Sequence, residues 1–129
     1  ADQGKTNDAI ALFTGLTEDY PELPEPYNNL AVLYASQNKY TAAKNTLEMA
    51  IRAHPGYATA HENLGDIYAK MATQAYEKSL ALDSQNMTVQ TKLSMIQKLI
   101  VGQEGKSTSP NPMPTAATPQ NQKSLLKKP

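Results

Sequence analysis

An all-α fold of antiparallel helical hairpins follows from three observations on this 129-residue chain. The sequence matches itself at a spacing of 34 residues, its apolar residues recur with helical periodicity, and its turn-forming residues cluster at the joints between those periodic runs. Twelve basic residues balance twelve acidic ones, so no global field draws in nucleic acid or an anionic membrane. The absence of cysteine excludes disulfides, thiolate metal sites and a cysteine nucleophile. No apolar run approaches the ~18 residues needed for a membrane-spanning helix, so direct insertion is not expected.

The repetition is seen by sliding the chain along itself. At an offset of 34, Tyr27 meets His61, Leu30 meets Leu64, Ala31 meets Gly65 and Tyr34 meets Tyr68. The same shift takes Gly4 to Asn38, Ala9 to Ala43, Phe13 to Leu47 and Pro21 to Pro55. Small residues at Ala31, Gly65, Ala43 and Ala50 allow two antiparallel helices to approach closely, and Tyr27, Leu30, Tyr34 and Leu47 fill the space between them. Pro55 ends the second helix of the unit and, with Gly56, turns the chain into the next.

The complete copy reads Tyr27-x-x-Leu30-Ala31-x-x-Tyr34, then Ala43-x-x-x-Leu47, Ala50 and Pro55. This pattern resembles the tetratricopeptide repeat. The resemblance covers residues 1–86 and implies an α-solenoid fragment of stacked hairpins, which binds protein partners rather than catalysing a reaction. The expected organisation is one repeat domain, 1–102, followed by a separate tail. It divides into a partial repeat 1–23, a full repeat 24–57, a shortened repeat 58–86 and a capping helix 87–102.

Taken in order, the first copy begins in mid-repeat. Gly4 stands at the turn position, followed by a helix over Thr6–Thr17 whose Ile10 and Phe13 lack a covering helix. That uncovered face implies further repeats upstream, because each unit buries its core against neighbours. The third copy starts normally with His61-x-x-Leu64-Gly65-x-x-Tyr68. Its second half, Ala72-x-x-x-Tyr76-x-x-Ser79-Leu80, matches Ala43-x-x-x-Leu47-x-x-Ala50-Ile51 at an offset of 29, five residues short. The missing residues are those of the turn. Either a strained turn near Met71–Thr73 keeps the hairpin, or both halves merge into one helix over Thr59–Asp83. The segment Tyr68–Tyr76 holds no Gly, Pro or Asn, so propensity favours the merged helix, with Leu64, Tyr68, Met71, Ala75 and Leu82 near one face. Surfaces that normally pack within one repeat would then need a partner, such as the same element of a second chain.

Asp83-Ser84-Gln85-Asn86 reads as a break, and Thr88–Val101 as an amphipathic capping helix stopped by Gly102. Residues 103–129 hold five of the nine prolines and few large apolar residues, a composition that predicts a disordered linker or tail.

A search for chemistry finds none. His54 and His61 fall on different helices without metal-ligand spacing, and His61 takes the packing slot of Tyr27. Glu18-Asp19 and Glu22 with Glu25 surround a turn with nothing apolar to raise a carboxyl pKa. No phosphate loop or nucleophile elbow is present, and the tyrosines occupy repeat positions. No cofactor or metal is expected, and nucleic acid is not a favoured partner.

The resemblance implies a concave groove lined by the first helix of each repeat. Carried over by position, it presents Glu25, Asn28, Asn29, Val32 and Ser36 from one helix, and Thr59, Glu62, Asn63, Asp66 and Lys70 from the next. Three acidic residues against one basic predict a protein or peptide ligand of neutral to basic character, its backbone held by Asn28, Asn29 and Asn63. The basic clamp with which some family members grip an acidic chaperone tail is missing, Thr59 and Asn63 standing where basic residues belong. The wording of residues 28–34 and 61–70 is also similar to bacterial cell-envelope repeat proteins, which suggests the periplasm or envelope while leaving the cytoplasm open. Two other readings stand beside the groove: a self-association module in which the merged helix forms a homodimer, and the accessory part of a larger envelope enzyme.

Overall fold

The computed structural model describes residues 2–106 and consists there of five helices, α1 (Asp2–Asp19), α2 (Pro24–Ser36), α3 (Tyr40–Ala53), α4 (Ala58–Leu82) and α5 (Met87–Lys106). The fold is all-α, its helices stacked in hairpins like those of tetratricopeptide repeats. Each helix packs on the next along the chain, and α2 also touches α4. The tail beyond residue 106 lies outside the described residues.

Local chemistry accounts for the helix ends. Pro24 stands in the first turn of α2, where a missing N–H costs nothing, after Leu23 in extended conformation. The helix closes in a Schellman motif: Asn38 donates to the Ala35 carbonyl at 2.9 Å and Lys39 to the Tyr34 carbonyl at 3.0 Å. Asn38 itself takes the left-handed conformation, φ 62°, that the motif requires. At the end of α3, His54 is held extended by the proline that follows, and Tyr57 N donates to the His54 carbonyl at 3.0 Å to close the turn. The break before α5 uses both side chains read from the sequence. Asp83 Oδ1 accepts from Gln85 N at 3.2 Å, and Asn86 Oδ1 caps α5 by accepting from Val89 N at 3.1 Å.

The core gathers Tyr27 and Ala31 of α2, Ala43, Leu47 and Ala50 of α3, and Ala60 and Ile67 of α4. These are the repeat positions, large residues alternating with small ones so that the helices close up. Leu47, the largest apolar side chain at the centre, is almost wholly enclosed.

The third copy is one uninterrupted helix, Ala58–Leu82, and no turn forms near Met71–Thr73. Thr73, the residue in that stretch most able to compete with the backbone, returns its hydroxyl to the Ala69 carbonyl at 3.0 Å, which leaves the helix intact.

Three local expectations need correction. Gly4 is helical, inside α1, and forms no turn; a single glycine costs a helix only about 1 kcal/mol, less than its neighbours contribute. Phe13 is buried, because α1 packs on α2 and needs no preceding helix to cover that residue; the open apolar position on α1 is Leu12. Gly102 likewise does not end α5, which runs on to Lys106.

Candidate functional site

The residues expected to line a concave groove come from the stripes of α2 and α4 that the repeat stacks side by side. On α2, Glu25, Asn28, Asn29, Val32 and Ser36 fall on one face of the helix, and Thr59, Glu62, Asn63, Asp66 and Lys70 do so on α4. The structure sorts them into a floor and a rim.

The floor is asparagine. Asn28, Asn29 and Asn63 are only 2%, 4% and 8% exposed, and Asn63 Nδ2 donates to Asn28 Oδ1 at 3.0 Å. In this structure the three do not hold out their amides to a ligand backbone, as the sequence suggested. Burial obliges each to find a partner inside the protein, and Asn28 and Asn63 find each other. The bond ties α2 to α4 directly.

The rim carries the accessible groups. Glu62 is exposed, while Thr59, Asp66 and Lys70 are half-buried on α4. On α2, Val32 and Glu25 are half-buried, and exposed Ser36 turns its hydroxyl back to the Leu33 carbonyl at 2.6 Å. Glu62, Asp66 and Lys70 follow one another at spacings of four, so they stack along a single edge of the helix. Tyr57, in the turn before α4, feels this environment. Its phenol is pushed up from 10.0 to about 12, first by burial and then by the negative charge of Glu25.

Lys70 also belongs to an open cleft of about 580 Å³. Its walls are Asn38 and Tyr40 at the α2–α3 joint, Thr73, Gln74 and Glu77 of α4, and Gln97 and Ile100 of α5. The cleft exists because α4 continues straight past the joint where a standard repeat would turn back. Sequence reasoning placed only Lys70 of these residues in a site; the signal for the others was the five-residue deletion itself.

His61 does not pack in the slot of Tyr27. It is exposed, and its Nε2 bonds the Pro55 carbonyl at 2.8 Å, linking the first turn of α4 to the preceding loop. Among the described residues, no group of three His, Cys, Asp or Glu side chains could hold a metal ion. No described helix is long and apolar enough to cross a membrane.

Comparison with known proteins bears on the fold. The family model described as Tetratricopeptide repeat matches residues 1–64. A stretch of 73 residues is 38% identical to a chloroplastic tetratricopeptide repeat domain-containing protein, PYG7 of Arabidopsis thaliana, covering 53% of this chain and 24% of that protein. The chain therefore spans about a quarter of that relative's length. Among solved structures, the first TPR of Spaghetti (RPAP3) bound to the HSP90 peptide SRMEEVD superposes with a TM-score of 0.51 at 24% identity, over 78% of this chain and 85% of that one. That likeness is one of fold.

Proposed function

We propose that this chain, folded as tetratricopeptide repeats, is a protein-interaction scaffold that receives a peptide or helix along the face shared by α2 and α4. The carrying observation is the acidic edge of α4: Glu62 lies exposed and Asp66 half-exposed one turn further on, beside buried asparagines of which Asn28 and Asn63 are bonded to each other. A stiff floor with charged groups along its rim holds a ligand at little cost in ordering the protein.

The ligand we infer is neutral to basic. Glu25, Glu62 and Asp66 outnumber Lys70 on this face, and opposite charge speeds encounter and fixes register more than it raises affinity. The solved neighbour carries an acid-rich peptide, SRMEEVD; this face bears the same negative sign at its accessible positions and would repel such a ligand.

The test is direct titration of the full chain with fluorescent peptides of equal length and graded net charge, SRMEEVD included as the acidic member. Basic peptides should bind at least tenfold more tightly than SRMEEVD, and reversing Glu62 and Asp66 to lysine should invert the order. Equal binding across the series, or no effect of the reversal, rules out this face as the receiving surface.

A further inference from the structure

The groove face of α4 does not stop where α2 ends. Asn63, Asp66, Lys70, Gln74 and Glu77 follow one another at spacings of three and four on an unbroken helix. At 100° per residue they fall within about 80° of one another, a single stripe. The stripe runs about 21 Å along α4, the length of about six residues of extended chain.

Its first part lies beside α2, where Asn63 is bonded to Asn28. Its second part, from Lys70 onward, is a wall of the open cleft of about 580 Å³, a volume within the range of ligand sites. Gln97 and Ile100 of α5 flank that cleft, and Asn38 and Tyr40 of the α2–α3 joint form its lip. Groove face and cleft are thus one channel, with Lys70 in both. The five residues absent from the third copy lengthen it, because a chain that turned back near Met71 would carry Gln74 and Glu77 off the stripe.

The chemistry changes along the channel. Beside α2 the charged groups are chiefly Glu25, Glu62 and Asp66. In the cleft the charges of Lys70 and Glu77 cancel, and the other polar groups are neutral: the carboxamides of Asn38, Gln74 and Gln97, and the hydroxyls of Tyr40 and Thr73. Two of these are already set by the fold. Tyr40 donates to Asn38 Oδ1 at 2.9 Å, which fixes that amide and leaves its Nδ2 as the donor for a ligand. Thr73 gives its proton to the Ala69 carbonyl and keeps an oxygen that can accept. Asn38, Gln74 and Gln97 are all exposed.

A carboxamide offers both a donor and an acceptor, the complement of a peptide main chain. An extended chain presents an N–H and a C=O at every residue, whereas a helix has already paired its own. We infer that the cleft receives an uncharged, extended stretch of the same peptide whose basic part lies against Glu62 and Asp66, its main chain held by Asn38, Gln74 and Gln97. The inference rests on the α2–α4 face being the receiving surface, and it makes the ligand an extended segment instead of a helix.

The test titrates the full chain with two fluorescent peptides. The long one has two lysines between arms of six residues, each arm alternating threonine and alanine; the short one has the same lysines with one residue on either side. The long peptide should bind about tenfold more tightly, the worth of two or so neutral hydrogen bonds. N-methylation of every alanine in its arms should abolish the gain by removing main-chain donors. The double variant Gln74→Ala, Gln97→Ala should lose most of the gain while binding the short peptide as before. Alanine favours both of these exposed helix positions, so circular dichroism should show helicity kept. Equal binding of long and short peptides overturns the inference, as does a gain untouched by N-methylation or by the double variant. Maltoheptaose bound by the wild type and lost in the double variant, with no gain for the long peptide, would make the cleft a sugar site and overturn it too. Reversing Glu62 and Asp66 to lysine separates the two proposals. If that weakens both peptides while length brings no gain, the α2–α4 surface stands and only the cleft fails; if it changes neither, the surface itself fails and the inference with it.

Discussion

Asn63 donates to Asn28 across 3.0 Å, joining the first helices of two successive repeats through a pair of amides shielded from water. In a solenoid most contacts lie between chain neighbours, so this bond is one of few that skip an element. Its energetic weight lies in the cost of leaving it half-made.

Replacing Asn28 by Leu should therefore destabilise the fold by about 1–3 kcal/mol, since Asn63 keeps a buried amide without its acceptor. Replacing both asparagines by Leu should cost clearly less than the two single changes added together. Urea unfolding of the two single variants and the double variant gives the coupling; strictly additive values would mean that the bond contributes nothing.

Asn38 closes α2 from the left-handed region. Asn38→Gly should leave stability unchanged or slightly higher, because glycine adopts that conformation without steric cost. Asn38→Val should lose about 1–2 kcal/mol, as a branched Cβ collides with the backbone there. Equal thermal midpoints for the two variants would contradict the cap assignment.

Leu47 fills the centre of the helix pair α2–α3. Leu47→Ala should cost about 2–5 kcal/mol, the range for emptying a close-packed site. The check is the denaturant midpoint at unchanged slope.

Tyr57 supplies a pH signature. Its folded value, about 12, lies above the ordinary 10.0, so the folded chain keeps a proton that the unfolded chain releases. Stability from this group is complete below pH 10 and declines as the pH rises from 10 toward 12. Ultraviolet titration of the phenols should show one late component, shifted to lower pH by Glu25→Gln. A Glu25→Gln titration identical to wild type would remove the carboxylate from the explanation.

Much of this architecture was legible in the residues. The spacing of Tyr27, Leu30, Ala31 and Tyr34 against Ala43, Leu47 and Ala50 names the helix pair, because small and large residues must alternate where two helices touch. The straight course of α4 was legible too, in a segment with no residue able to break it. Single residues were read less well. Gly4 and Gly102 look like stops in the sequence, but a glycine weakens a helix without ending it when its neighbours favour continuation. His61 inherited the role of Tyr27 by alignment, yet without a helix against it the ring turned to the Pro55 carbonyl instead. The asparagines show the deeper limit. A pattern identifies which face a residue occupies, but an amide offered to a ligand and an amide bonded to the next helix have the same letter and the same position.

The order in which the helices pack also bears on how the chain folds. Because each helix meets chiefly its immediate neighbours in sequence, little loop entropy must be spent before contacts form, and such topologies fold within milliseconds or faster. In stacked repeats folding can begin within one neighbouring pair of helices and spread along the chain. The amide bond between Asn28 and Asn63 then acts as a late latch, made only once α2, α3 and α4 have already stacked.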